Sequence, residues 1–282
     1  MKTAALADGF GLEIRHEGNA GLLASAKDEL LPLLYEHKVL VIRDAAFTLP
    51  EFVAFGRNLG RLRTFVDVSH NHPDYPEVFV VANAPINDKI IGMDRVGLYW
   101  HTDQSFLKEP QPISMLLAHE VPERGGETSF VNMNSVYRAL PDGLKAVLSE
   151  RVGLHDGFPK YILTAQDAGL TVDELKARDR KLCPPVMHPA IIRHRISRQP
   201  IVYLNPGFTQ AVVGLEAAES DRVLAEVFKE VENPRHRYTH RWSPRDLVLW
   251  DNRATLHKAA TPSQGARRIM YRLGIEDGGF FE

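Results

Sequence analysis

The chain has 282 residues, 44% of them hydrophobic, with 34 Lys and Arg against 36 Asp and Glu; it can bury a full core and carries no basic field for nucleic acid or an anionic membrane surface. A single cysteine, Cys183, excludes an intramolecular disulfide and a Cys-based zinc or iron–sulfur site, which suits a reducing cytoplasm. The opening Met1-Lys2-Thr3-Ala4-Ala5-Leu6-Ala7-Asp8 is interrupted by Asp8 before a secretory core forms, and no later stretch has the apolar length of a membrane span, so a small-molecule partner is expected.

Over residues 21–38, Leu22, Leu23, Ala26, Leu30, Leu31 and Leu34 recur at helical spacing and predict an amphipathic helix. It runs into the β-branched stretch 39–42, after which Pro50-Glu51-Phe52 opens a second helix ending near Gly60. Strand-like runs follow at 78–81, 113–117, 129–131, 201–204, 247–250 and 268–273, with further helices at 134–140 and 217–231. Many short strands, few helices and no βαβ rhythm predict one mainly β domain spanning 1–282, a sandwich or jelly-roll barrel with flanking helices. Residues 156–185, polar and broken by Gly and Pro, are expected to leave that barrel as a long excursion able to act as a lid.

A His-x-Asp pair carries little weight alone, since about 0.7 such pairs arise by accident in a chain with 12 histidines. His72-Pro73-Asp74 is one, and its central proline, flanked by Asn71 and Tyr75, reads as a turn. His101-Thr102-Asp103 lies instead between Leu98-Tyr99-Trp100 and Gln104-Ser105-Phe106, a strand-like setting in which both side chains share a face and can reach one ion. Joined by a distant histidine, the pair makes a facial triad that leaves positions open on Fe(II) for a co-substrate and O2. His257, in Trp250-Asp251-Asn252-Arg253-Ala254-Thr255-Leu256-His257-Lys258, is the best-placed third ligand, although taken alone it reads as a solvated turn histidine. Arg268 follows on a strand-like run. Its planar fork can clamp the far carboxylate of a dicarboxylate co-substrate, or else make a surface ion pair.

Together, residues 98–106, Gly125-Gly126-Glu127-Thr128, Leu204-Asn205-Pro206-Gly207-Phe208-Thr209, Trp250-Asp251-Asn252-Arg253 through His257, and Arg267-Arg268-Ile269-Met270-Tyr271-Arg272 resemble the taurine dioxygenase family. The resemblance runs from about Val39 to Asp277. It implies a double-stranded β-helix, the cupin-like jelly roll, with His101, Asp103 and His257 as iron ligands and catalytic centre. It also implies Thr128 and Arg268 as the partners of the 2-oxoglutarate C5 carboxylate. The implied reaction consumes 2-oxoglutarate and O2, releases succinate and CO2, and hydroxylates a C–H of a small anionic substrate. A homodimer or homotetramer is implied as well.

Arg272, on the same strand face as Arg268, resembles the family position that binds a sulfonate or carboxylate of the substrate; two inward arginines on one strand would be costly without anions. Phe208 and Tyr161 fall near positions that line the substrate pocket. Phe65 stands where taurine-specific members carry a substrate-contacting histidine, which argues against taurine itself. His72-Pro73-Asp74-Tyr75-Pro76-Glu77-Val78-Phe79-Val80 and Gly92-Met93-Asp94-Arg95-Val96-Gly97 are similar to the branch that turns N-carboxymethyl amino acids into isonitriles. Lys160 matches a carboxylate-binding lysine of that branch, whereas Val66 and His70, the latter read as substrate-facing, replace its tyrosines. A non-catalytic jelly-roll metal-binding protein is the reading from a different class.

Overall fold

The computed structural model of the chain describes residues 2–7, 10–16, 18, 26–65, 68–86, 88, 89, 91–94, 96–161, 163 and 167–281. Among these, nine strands form the principal sheet. Its order is Lys2–Ala7, Phe10–Arg15, Val39–Ile42, Leu247–Asp251, Ile113–Glu120, Ile269–Glu276, Tyr75–Ala82 and Asn71–His72, and Arg61–Arg63 also pairs with Ile269–Glu276. All pairings are antiparallel except that of Phe10–Arg15 with Val39–Ile42. A smaller sheet of Arg237–His240, Thr128–Asn132 and Thr255–Ala259 packs on one face, where Phe130 meets Trp250 at 5.5 Å between ring centres. This is the jelly roll expected from the sequence.

The central strands read as continuous apolar runs because both their faces are covered. Met115, Leu117, Leu247 and Leu249 point to a core shared with the helices, while Leu116, Ala118, Val248 and Trp250 point to the smaller sheet. Leu31 and Leu34 of helix Leu31–His37, with Phe52 and Phe55 of helix Leu49–Leu59, close the first core. Thr48 and Glu51 form a capping box at the start of the latter helix, beside Pro50 in its first turn. The same alternation fixes the arginines. Ile269, Tyr271 and Leu273 face the helices, Met270 faces the smaller sheet, and Arg268 and Arg272 share Met270's parity and are buried. Arg267, of opposite parity, is exposed and pairs with Glu120 at 2.7 Å.

Several expectations need revision in detail. The expected helix 21–38 is described from a π-helical turn, Ala26–Leu30, into Leu31–His37; residues 19–25 lie outside the described residues. The run at 201–204 pairs only as Pro200–Val202. Within the excursion 156–185 a helix, Val172–Leu182, was not expected. It buries one apolar side chain, Leu175, so its period is faint, but Thr171 and Glu174 form a capping box that the sequence displays. Arg180 ties this helix to Asp156 at 2.7 Å, and Arg178 pairs with Asp167. None of the described helices is long and apolar enough to cross a membrane.

The Trp250-Asp251-Asn252-Arg253 turn is locked by charge. Arg253, fully buried, donates to Asp251 at 3.0 Å and to Asp277 at 2.6 and 3.1 Å, while Tyr35 donates to Asp277 and His194 lies 2.6 Å from Asp251. Burial opposes ionisation of Asp251, yet Arg253 and His194 hold its carboxyl well below the usual carboxylate range. A depressed carboxylate adds stability above its unfolded pKa of about 4 and loses it as pH falls below that. Arg253→Ala strands two buried carboxylates and is expected to lower unfolding free energy by about 3–5 kcal/mol. Urea denaturation of the two proteins at neutral pH measures the difference.

Candidate metal centre and anion pocket

The His101-Thr102-Asp103 pair does not lie on a regular strand, contrary to expectation. His101 makes one isolated antiparallel bridge with His257, through backbone hydrogen bonds of 3.1 and 2.9 Å, and the chain then turns, with Gln104 at φ 57°. His257 itself belongs to strand Thr255–Ala259, opposite Phe130. The bridge sets the two imidazoles 4.1 Å apart between ring centres. His101 Nε2 and His257 Nε2 stand 3.7 and 3.8 Å from Asp103 Oδ1, and one donor atom from each of the three residues lies within 4.8 Å of the others. Gly97, at φ 70°, makes room, since a Cβ there would sit 2.7 Å from His101 Cε1.

The electrostatics suit a cation. His101 Nδ1 contacts the Tyr99 carbonyl at 2.8 Å, so the ring donates there and turns its Nε2 lone pair inward. Burial lowers the pKa of both His101 and His257 and keeps the rings neutral, as ligands must be. Burial would raise Asp103, but the Arg272 guanidinium, aided by the Ser114 hydrogen bond, holds its carboxyl well below the usual range. Arg272 Nη1 donates to Asp103 Oδ1 at 2.8 Å, so a guanidinium partners the same oxygen that faces both histidines. Two neutral imidazoles and one carboxylate, buried on one side of an ion, fit Fe(II) and leave positions open.

Beside this group lies a pocket, partly open to solvent, lined by Thr128, Trp250, His257, Arg268 and Arg272. Burial pulls the Arg268 guanidinium down to about 10, against Asp94, so it stays a cation at neutral pH. Its Nε has no hydrogen-bond partner among the described residues, a buried donor awaiting an acceptor. Thr128 Oγ1 lies 3.0 Å from Trp242 Nε1, which can only donate, so the threonine hydrogen is left to donate in turn. A buried guanidinium with an unpartnered Nε–H and a hydroxyl left to donate fit the far carboxylate of 2-oxoglutarate.

Of the expected substrate residues, Phe208 lies 6.0 Å from His101, 5.8 Å from Tyr99 and 4.8 Å from Phe106 between ring centres. Lys160 Nζ sits 4.8 Å over the Tyr99 ring, which brings a second cation to this cluster. Tyr161 turns its hydroxyl to Asp167 at 3.2 Å and receives Arg178 at 2.6 Å, so its polar end is engaged within the excursion. His70 Nδ1 contacts the Gly92 carbonyl at 3.2 Å, and its ring lies 6.2 Å from Phe79. Phe79 and Phe65 flank the Arg272 guanidinium at 4.7 and 5.4 Å. Val66 and Arg95 lie outside the described residues. His72 takes no part in the centre; the Asp74 amide donates to its Nδ1 at 3.2 Å within the expected turn. The sequence assigns no role to Trp242, Gln111 and Ser114, which act through other side chains and form no motif, and it shows Asn252 only as a member of the 250–253 motif, without its hydrogen bonds to the Asp103 backbone.

A jelly roll that buries two histidines and an aspartate beside an arginine-lined cavity defines the class of mononuclear facial-triad oxygenases. A sequence model of the taurine catabolism dioxygenase TauD, TfdA family matches residues 2–273, and the chain belongs to this family. It is 32% identical over 259 residues to the alpha-ketoglutarate-dependent 2,4-dichlorophenoxyacetate dioxygenase of Cupriavidus pinatubonensis, covering 88% of each chain. It is 30% identical over 256 residues to pentalenolactone F synthase of Streptomyces arenae, covering 87% of this chain and 85% of that one. Among solved structures, a taurine dioxygenase from Burkholderia xenovorans superposes with a TM-score of 0.76 at 22% identity, over 97% of this chain and 88% of the other. AAD-2 in complex with Mn(II) and N-oxalylglycine gives 0.74 at 24% identity, over 97% and 96%. At these identities the structural likenesses speak for the fold.

Proposed function

We propose that the protein is an Fe(II)- and 2-oxoglutarate-dependent dioxygenase that hydroxylates a C–H of a small carboxylate with an apolar or aromatic body. The observation that carries this reading is the pair of buried arginines on one strand face, Arg268 and Arg272, beside the His101, Asp103 and His257 group. Fe(II), 2-oxoglutarate and O2 together supply the oxidising power, with succinate and CO2 as the co-products. His101, Asp103 and His257 hold the metal. Thr128 and Arg268 bind the C5 carboxylate and fix the co-substrate's orientation. Arg272 spans Asp103 and the substrate anion, and the rings of Tyr99, Phe106 and Phe208 exclude water around the carbon to be oxidised.

A carboxylate is preferred to a sulfonate because relatives named for phenoxyacetate and phenoxypropionate substrates match over most of the chain. A panel of aryloxyalkanoates, alkylsulfonates and amino-acid derivatives, scored by succinate release, tests this. Stimulation by sulfonates alone would reverse the preference. The second reading, oxidative decarboxylation of an N-carboxymethyl amino acid to an isonitrile, is favoured by Lys160, since two carboxylates on one substrate call for two cations near Tyr99.

Arg272→Ala is expected to raise the substrate KM by about 100-fold, as loss of one partner of a desolvated ion pair costs about 2–5 kcal/mol, and to weaken the 2-oxoglutarate titration much less, through the lost contact with Asp103. Arg272→Lys should recover only part of this, because a point charge lacks the planar fork. A weakened 2-oxoglutarate titration with normal substrate dependence would exchange the roles of Arg268 and Arg272.

A further inference from the structure

Asp103 is held at every polar atom. Asn252, fully buried, accepts the Asp103 N–H at 3.0 Å, donates to the Asp103 carbonyl at 2.9 Å and donates to the Gln111 carbonyl at 2.6 Å. The 102–111 loop is thereby stapled to the turn before His257. On the side chain, Oδ1 faces His101, His257 and Arg272, whereas Oδ2 accepts from Ser114 Oγ. Ser114 Oγ in turn meets Gln111 Nε2.

The polarity of that chain is forced. An ionised carboxylate only accepts, so the Ser114 hydroxyl spends its one hydrogen on Asp103 and must accept at its lone pair. The amide nitrogen of Gln111 supplies that donor, and both residues are buried away from water that could replace it. Ser114 lies on strand Ile113–Glu120 opposite both Trp250 and Gly274. A Cβ at Gly274 would come within 2.0 Å of Gln111 Oε1, so the glycine leaves the space the glutamine fills.

We propose that Gln111 and Ser114 are positioning residues that reserve Asp103 Oδ2 for a hydrogen bond, so that Oδ1 alone is offered to the metal. Without them the Asp103 carboxylate is free to rotate, Oδ1 is no longer held toward His101 and His257, and the cost of ordering it falls on metal binding. This rests on the reading of Asp103 as a ligand, and the test separates the two.

Mn(II) binding to the purified full chain is measured from the loss of the free-ion EPR signal, for the parent protein and for Asp103→Ala, Ser114→Ala, Ser114→Thr and Gln111→Leu. Thermal unfolding without metal is recorded alongside. Loss of an outer partner of a ligand typically costs about 10- to 100-fold in metal affinity, which is the result expected for Ser114→Ala. Ser114→Thr, which keeps the hydroxyl, should stay within about threefold of the parent, a rescue that mere cavity formation does not give. If Ser114→Ala does not fold, Gln111→Leu carries the test and is expected at the low end, about tenfold weaker. Parent-like Mn(II) affinity in Ser114→Ala, or in Gln111→Leu where that variant carries the test, overturns the proposal if Asp103→Ala has lost binding. Parent-like affinity in Asp103→Ala overturns the ligand reading itself and the proposal with it.

Discussion

Alanine at His101, Asp103 or His257 is expected to abolish metal-dependent turnover, with His257→Ala the most informative of the three. One donor atom from each residue lies within 4.8 Å of the others, so removal of any one leaves two donors and a wider open face. For His257→Ala the alignment of His101 is kept, because the backbone bridge uses the main chain of residue 257 and survives truncation. Mn(II) affinity should fall beyond the range of a titration at millimolar metal, and succinate release should reach background. His72→Ala provides the control: it lies in the other His-x-Asp pair, held in a turn by the Asp74 amide, and should bind metal as the parent does. Full activity in any of the three ligand variants would remove that residue from the centre.

Arg268→Ala should raise the KM for 2-oxoglutarate and lower kcat/KM by about 100-fold or more, the scale of a buried charge-assisted pair deprived of one partner. The guanidinium is buried, its Nε lacks a partner among the described residues, and Thr128 beside it is left to donate by Trp242. Asp94 offsets part of its desolvation cost, and an arriving carboxylate that takes the free Nε–H offsets more. Arg267→Ala supplies the comparison. That side chain points to solvent and pairs with Glu120, and an exposed pair contributes about 0–1 kcal/mol, so its 2-oxoglutarate titration should match the parent. A normal KM in Arg268→Ala would assign the carboxylate to another cation of the cavity, with Arg272 first in line.

The sequence by itself determined the β-rich class and the residue types of the centre. Strands 247–250 and 113–117 were legible because burial on both faces turns them into unbroken apolar runs, and the inward arginines because a strand repeats every two residues. The tertiary structure decided how the donors meet. His101 and His257 face each other through a single backbone bridge between distant segments, and no local period encodes such a pairing. The helix Val172–Leu182 is hard to read from the sequence because a mostly polar surface helix with one buried apolar residue, Leu175, shows only a weak apolar stripe. Tyr161, near a pocket-lining position by motif, sends its hydroxyl to Asp167 and Arg178 once that helix folds back. Gln111 and Ser114 look like ordinary polar residues in the chain, and Asn252 stands there only as a member of the 250–253 motif. Their role arises only when the Ile113–Glu120 strand and the turn at residue 252 close on Asp103, because a hydrogen bond needs donor and acceptor within about 3 Å, a condition set by long-range packing and invisible in residue order.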